Sequence, residues 1–268
     1  KAQIYSQMGS IAGAVIGSYL ATINQTWPWF AIGFGMLFVM CLAQIIMKEE
    51  YFVPQKMSWR KGIQAIKSTA KTSIEFGIRN AKIRYILLIG GIQVLAFQAP
   101  NMQWQPFFKS MTAGGIQFGF IYAGISLSIM FGAQMAKWIL KKSVSEKNAL
   151  RNIQIVAGAF LALSVWSQYL PIALTIFLLH ETARGAFTPI KDAYLHDQIP
   201  SKERATIVSF ESIAHHVGGA IGLALSGLLA NSAGIPVTWT VFGIALVVGT
   251  ILISLNGKKN AENIVQTT

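Results

Sequence analysis

Within one long apolar stretch stands His180-Glu181-Thr182-Ala183-Arg184-Gly185, an imidazole, an acid and a base within five residues. On a helix, Glu181 and Arg184 lie three residues apart, on one face and close enough to pair. Ionisable groups are costly in an apolar span, so the pair has two readings. It is either a structural charge pair that fixes the helix, or a coupling or gating site in which protonation of Glu181 releases Arg184. Glu211 and His215, four residues apart and followed by His216, could share a hydrogen bond or relay a proton. A metal would need further ligands at suitable spacing, and neither HExxH nor a comparable constellation occurs, so no metal and no cofactor are expected. A third group is made of amides: Gln93, Gln98 and Asn101 at near-helical spacing, with Gln103, Gln105 and an interrupting Pro100. Amides in hydrocarbon need partners, so they line a water-filled cavity or bond to neighbouring helices. His180 joins them as a candidate cavity or substrate residue.

The elements that position these groups follow from composition. Of 268 residues, 53% are hydrophobic and only 12% charged, against about 25% charged in a soluble domain. Apolar runs long enough to span a bilayer fall at roughly 5–24, 28–47, 85–107, 115–139, 152–169, 171–194, 205–230 and 236–255. Asn24-Gln25-Thr26-Trp27-Pro28, Pro171 and Gly234-Ile235-Pro236 punctuate them. The expected fold class is therefore all-α and integral to a membrane, with about eight transmembrane helices. The net charge of +12 does not point to nucleic acid, because the basic residues lie in connectors beside the spans. All of them but Lys109 and Arg184 fall on one side, taken as the cytoplasm. A multi-pass protein of the cell membrane with both ends of the chain cytoplasmic is expected. A single cysteine, Cys41, excludes an internal disulfide.

The connector 48–84 is rich in Lys and Arg. Within it Trp59, Ile63, Ile66, Ala70, Ile74 and Ile78 recur at helical spacing. That pattern predicts a basic amphipathic helix on the inner membrane surface, with a solvated linker as the alternative. The expected organisation is two helices in 1–47, this linker in 48–84, six helices in 85–257 and a cytoplasmic tail in 258–268. Glycine stripes mark helix packing faces: Gly9, Gly13 and Gly17 in the first span, Gly218 and Gly222 in the seventh.

Three segments carry a family resemblance: Glu181-x-x-Arg184-Gly185-x-x-x-Pro189, Tyr194-Leu195-x-Asp197-x-Ile199-Pro200, and Arg204-Ala205-Thr206-x-x-Ser209-Phe210-x-Ser212. They resemble helices ten and eleven and their loop in the major facilitator superfamily, most closely bacterial permeases of the drug-efflux type. The order of two spans, a long basic connector and six spans resembles the last eight of that family's twelve helices. The resemblance implies a complete C-terminal six-helix half, two helices of the N-terminal half, and upstream helices missing from this chain. It also implies rocking of inverted repeats around a central site. The stripe Gly9, Gly13, Gly17 occupies the place of the family's antiporter motif, with Ser18 where that motif has proline.

The expected function is alternating-access transport, not enzymatic catalysis: proton-coupled efflux of a small, amphipathic or drug-like molecule, with protons and membrane lipids as the other partners. Lys202, Glu203 and Arg204 would serve the inner loop. Two alternatives stand beside it. One is a truncated or non-transporting membrane protein, a sensor or a remnant. The other is a membrane-embedded enzyme, for which only the Glu211–His215 pair comes near a catalytic cluster.

Overall fold

The computed structural model describes residues 2–48, 59, 63, 80–112, 116–198 and 204–265. Among these residues every regular element is a helix: α1 (Ala2–Ile23), α2 (Trp27–Ile46), α3 (Ala81–Lys109), α4 (Ile116–Lys142), α5 (Glu146–Ser164), α6 (Leu170–Gln198), α7 (Arg204–Ala233) and α8 (Ile235–Val265). The amphipathic helix expected in 48–84 lies outside the described residues apart from its ends, Trp59 and Ile63, as do Lys202 and Glu203. The fold is an all-α membrane bundle. Among the described residues five helices (α2, α3, α4, α7 and α8) are both long and apolar enough to cross a bilayer. In α1 the apolar part is confined to Met8–Ile23. Charged residues occupy the first turns of α5 (Glu146, Lys147, Arg151) and interrupt the apolar run of α6 (Glu181, Arg184).

Two expectations are corrected. The fifth helix runs from Glu146 to Ser164 rather than from 152 to 169. Its start is set by Ser145, whose hydroxyl accepts from the Asn148 N–H, the bond of an N-cap. A hydrophobicity reading misses this because the first turns carry Glu146, Lys147 and Arg151. Nor does Pro100 break the third helix: α3 continues through Pro100 and Pro106. Each proline removes a single backbone hydrogen bond, which a helix packed by its neighbours tolerates in an apolar medium.

The distribution of side chains is that of a protein solvated by lipid. Large apolar residues such as Trp29, Phe34, Phe38, Phe120, Phe131, Leu228 and Leu252 face outward. Gln103, Gln154, His180, Glu181, Lys191, Thr250 and Ser254 are buried. In water this arrangement would expose a large apolar surface; in a bilayer the same surface is the solvated one.

The chain divides into two compact units, residues 1–68 with 113–126, and residues 69–112 with 127–268. In the first, α1 and α2 are joined by a turn in which the Asn24 side chain accepts from the Thr26 N–H at 2.9 Å and its hydroxyl at 2.8 Å. Pro28 sits in the first turn of α2, where its missing N–H has no helical partner to lose. Among the described residues the glycine stripe of α1 makes no close contact. Beyond the α carbons of Gly9, Gly13 and Gly17 there is open space among the described residues. The close approach in this unit is made instead by Ala14 and Ser18 against Gly119, where a Cβ would collide with Ser18. The stripe that packs lies one residue along from the glycines.

The second unit is tied together by two buried amides. Gln154 of α5 donates to the Ile89 carbonyl of α3 at 2.7 Å and accepts from the Thr250 hydroxyl of α8 at 2.6 Å. Gln103 of α3 donates to the Ser226 carbonyl of α7 at 3.1 Å and accepts from the Trp239 indole of α8 at 3.2 Å. Each amide therefore joins three helices. Between these ties, small residues let backbones touch. Gly158 and Gly243 meet where α5 crosses α8, and Gly222 lies against the Leu95 backbone of α3. Interhelical hydrogen bonds in membranes average about 0.6 kcal/mol each. We expect Gln154→Leu, which removes two, to lower unfolding stability by about 1–2 kcal/mol. Thr250→Val, which removes one, should cost less than half of that. Denaturant unfolding of both variants in the same detergent checks the ratio, and equal costs would refute the three-helix tie.

Candidate functional site

The charged residues of α6 form a lane along one face. Arg184, Thr188 and Lys191 follow at steps of four and three, so Lys191 stands about two turns, roughly 10 Å, from Arg184. At one end of the lane, Arg184 Nε donates to Glu181 Oε2 at 2.7 Å, and its Nη2 contacts the same oxygen. Glu181 is buried, 2% exposed, while Arg184 reaches partly out. The guanidinium carbon lies 3.9 Å above the Phe97 ring of α3, a cation–π contact that is strong where water is excluded. His180, also buried, has Nδ1 2.9 Å from the Ala157 carbonyl of α5. Its ring stacks on Phe177, which in turn stacks on Trp239. Beside this cluster α6 presses on α4 backbone to backbone: a Cβ at Gly132 would strike the Thr182 carbonyl, and one at Gly185 would strike Ile129.

At the other end, Lys191 Nζ donates to Glu211 Oε1 of α7 at 2.8 Å and lies 3.0 Å from Asp192 Oδ1. This ion pair stands in a cavity of about 410 Å³ between α3, α6 and α7. Gln93, Thr188, Lys191, Asp192, Glu211 and His215 are among its polar lining. Thr188 and Gln93, both lining the cavity, each lie one helical turn from a member of the Arg184–Phe97 contact. Just outside the spans, burial first and then Asp197 hold the Glu146 carboxyl above the usual carboxylate range.

The structure brings some sequence-derived candidates together and separates others. Glu181, Arg184 and His180 form one cluster. Gln93, Glu211 and His215 share the cavity, but Glu211 is not bonded to His215. Its partner is Lys191, because an ammonium on the facing helix makes a stronger, charge-assisted bond than an imidazole on the same helix. His215 instead lies edge-on to His216, whose Nδ1 bonds the Ser212 carbonyl. Gln98 lies over Gly219 next to Gly218, while Asn101 is exposed. Gly218 and Gly222 face α3, at Val94 and Leu95. Among the described residues no group of three or more His, Cys, Asp or Glu could hold a metal. Two residues of this unit do not stand out in the sequence. The charge count groups Lys191 with the basic residues of the inner side, although its place seven residues after Arg184 puts it on the same helix face. Gln154 carried no neighbouring pattern that could have drawn notice.

A fold of membrane helices around a charged lane and a polar cavity defines the class, and the comparisons agree with it. Residues 86–266 match the model of the Major Facilitator Superfamily, and the chain belongs to that family. It is similar to the multidrug efflux protein YfmO of Bacillus subtilis (strain 168), with 21% identity over 258 residues, covering 96% of this chain and 61% of that protein. The chain thus spans about 61% of the length of the curated relative it matches.

The Lys191–Glu211 bond makes a prediction. Lys191→Met leaves two carboxylates, Asp192 and Glu211, without their cation and should cost about 2 kcal/mol of stability. Lys191→Met combined with Glu211→Gln should cost less than the single change, since the second substitution removes an uncompensated charge. Thermal unfolding of the two variants decides it; a double variant less stable than the single one would contradict the pairing.

Proposed function

We propose that the protein works as a membrane transporter by alternating access, exporting a small amphipathic molecule in exchange for protons. The observation that carries this reading is the buried Glu181–Arg184 pair, set one turn beyond a polar cavity on a helix face shared with Lys191. Glu181 is the coupling acid in this reading. Ionised, it holds Arg184; protonated, it gives up most of that attraction and leaves Arg184 on Phe97. Burial makes the difference between the two states large, because charges in a low-dielectric site interact far more strongly than in water. The Lys191–Glu211 bridge is the second gate, and Gln93 with Thr188 provides the polar wall between the two. Membership of the family supports transport, and the likeness to a multidrug efflux protein supports export of an amphipathic substrate. We orient the chain in the cell membrane with its basic connectors, its linker 48–84 and both its ends in the cytoplasm. The segments 1–47 and 85–257 then belong to the two halves that rock against each other, with Gly218 and Gly222 among the packing positions of the second.

Glu181→Gln should abolish proton-linked efflux from energised vesicles while expression stays intact. Unchanged efflux would remove Glu181 from the coupling role. Reconstituting this chain in parallel with the same chain carrying an upstream helical extension tests the non-transporting alternative. Flux only with the extension would assign transport to the longer protein, and flux in neither would refute the transport reading.

A further inference from the structure

His180 has a partner on one nitrogen and not on the other. A carbonyl oxygen only accepts, so the bond to the Ala157 carbonyl requires that Nδ1 carry its hydrogen. The neutral ring then presents a bare lone pair at Nε2. That atom is buried, and among the described residues it has no hydrogen-bond partner. An orphaned acceptor in a dry interior is costly and calls for a function or a donor. The nearest group is Glu181 Oε1, 3.9 Å away. Arg184 occupies the other carboxylate oxygen, Oε2, so Oε1 is the oxygen left to take a proton.

The ring cannot turn away to seek another partner. It is pinned at Nδ1 by α5 and stacked on Phe177, whose opposite neighbour is the buried Trp239 of α8. The charges that act on the imidazole are Glu181 and Arg184 of its own helix. What α5 presents to it is the Ala157 carbonyl, and α3 enters through Phe97, beneath Arg184.

We propose that His180 and Glu181 are a proton-sharing pair, with a single proton held between His180 Nε2 and Glu181 Oε1. The proposal rests on the coupling role given above to Glu181 and names the group that stabilises its protonated form. In the step, a proton leaves hydronium as its O–H bond breaks, and a new bond forms at Oε1. The resulting hydroxyl closes the 3.9 Å gap by a small rotation and donates to Nε2. The carboxylate loses its negative charge, Arg184 loses its ionic partner, and no net charge is left on the imidazole. Deprotonation reverses each step. His180 is thus a positioning residue for the proton on Glu181.

The test separates this role from bracing. His180→Asn keeps a donor for the Ala157 carbonyl but has no atom at the place of Nε2; His180→Gln can bring an amide oxygen to that place. The purified protein in lipid nanodiscs is titrated with acid and followed by infrared difference spectroscopy of carboxyl and imidazole bands. One protonation event should be lost in Glu181→Gln. In His180→Asn the same event should need about tenfold more protons, the loss of one hydrogen bond, and His180→Gln should recover part of that. Thermal unfolding of each variant verifies that it folds. His180→Asn titrating like the parent, or Glu181→Gln leaving the event in place, overturns the proposal. Because this measurement needs no substrate, a protein that binds the proton normally but moves nothing would refute the transport reading and leave the proton-sharing pair standing.

Discussion

Hydrocarbon offers no hydrogen bonds, and the organisation of the second unit follows from that constraint. Every polar group drawn inside must find its partner within the protein, and a group with two or three bonding sites must find them on different helices. Gln154 and Gln103 meet the constraint with both polar atoms of the amide, each bonding two neighbouring helices. Packing between apolar faces would allow helices in lipid to slide or rotate, because lipid solvates those faces as well as a neighbour does. The amides remove that freedom: only one register of α3, α5, α7 and α8 satisfies them. Glycines then set how closely those helices approach, as at Gly158–Gly243 and Gly222–Leu95.

The charged lane of α6 obeys the same rule in a different way. Gln154 has both its polar side-chain atoms bonded, whereas the cluster around Glu181 is satisfied for one charge state and leaves one atom, His180 Nε2, without a partner among the described residues. A group satisfied in a single state serves architecture. A group that is satisfied differently before and after gaining a proton can switch between two arrangements of similar energy. That contrast separates the two kinds of buried polar residue here more sharply than residue type does.

Much of this was legible in the chain itself. Among the described residues, hydrophobic runs gave the ends of six of the eight helices to within about four residues, because the bilayer imposes a length and excludes charge. The exceptions are α5, whose start depends on a serine cap and on charged turns outside the apolar run and which ends at Ser164 rather than 169, and α8, which runs on to Val265, ten residues past the apolar run. The Glu181–Arg184 pair was legible because spacing along one helix decides its geometry. What was hidden lay between helices. The partner of Glu211 is on α6, twenty residues away, and nothing in the spacing of Glu211 and His215 announces it. The same holds for α1, where the glycines suggested one packing face and Ala14 and Ser18 supplied another. Local periodicity tells which residues share a face, and only the tertiary arrangement tells what that face meets.

Pro189 stands inside α6, between Arg184 and Lys191. Having no N–H, it leaves the Gly185 carbonyl without its usual helical donor, so the rod is softest there. Gly185 is also where α6 bears directly on the backbone of α4. The weakest point of the rod thus coincides with its bearing, as in a lever resting on a fulcrum. A bend at this place would swing the Glu181 arm and the Lys191 arm about one pivot, so that two ion pairs with no atom in common would move together.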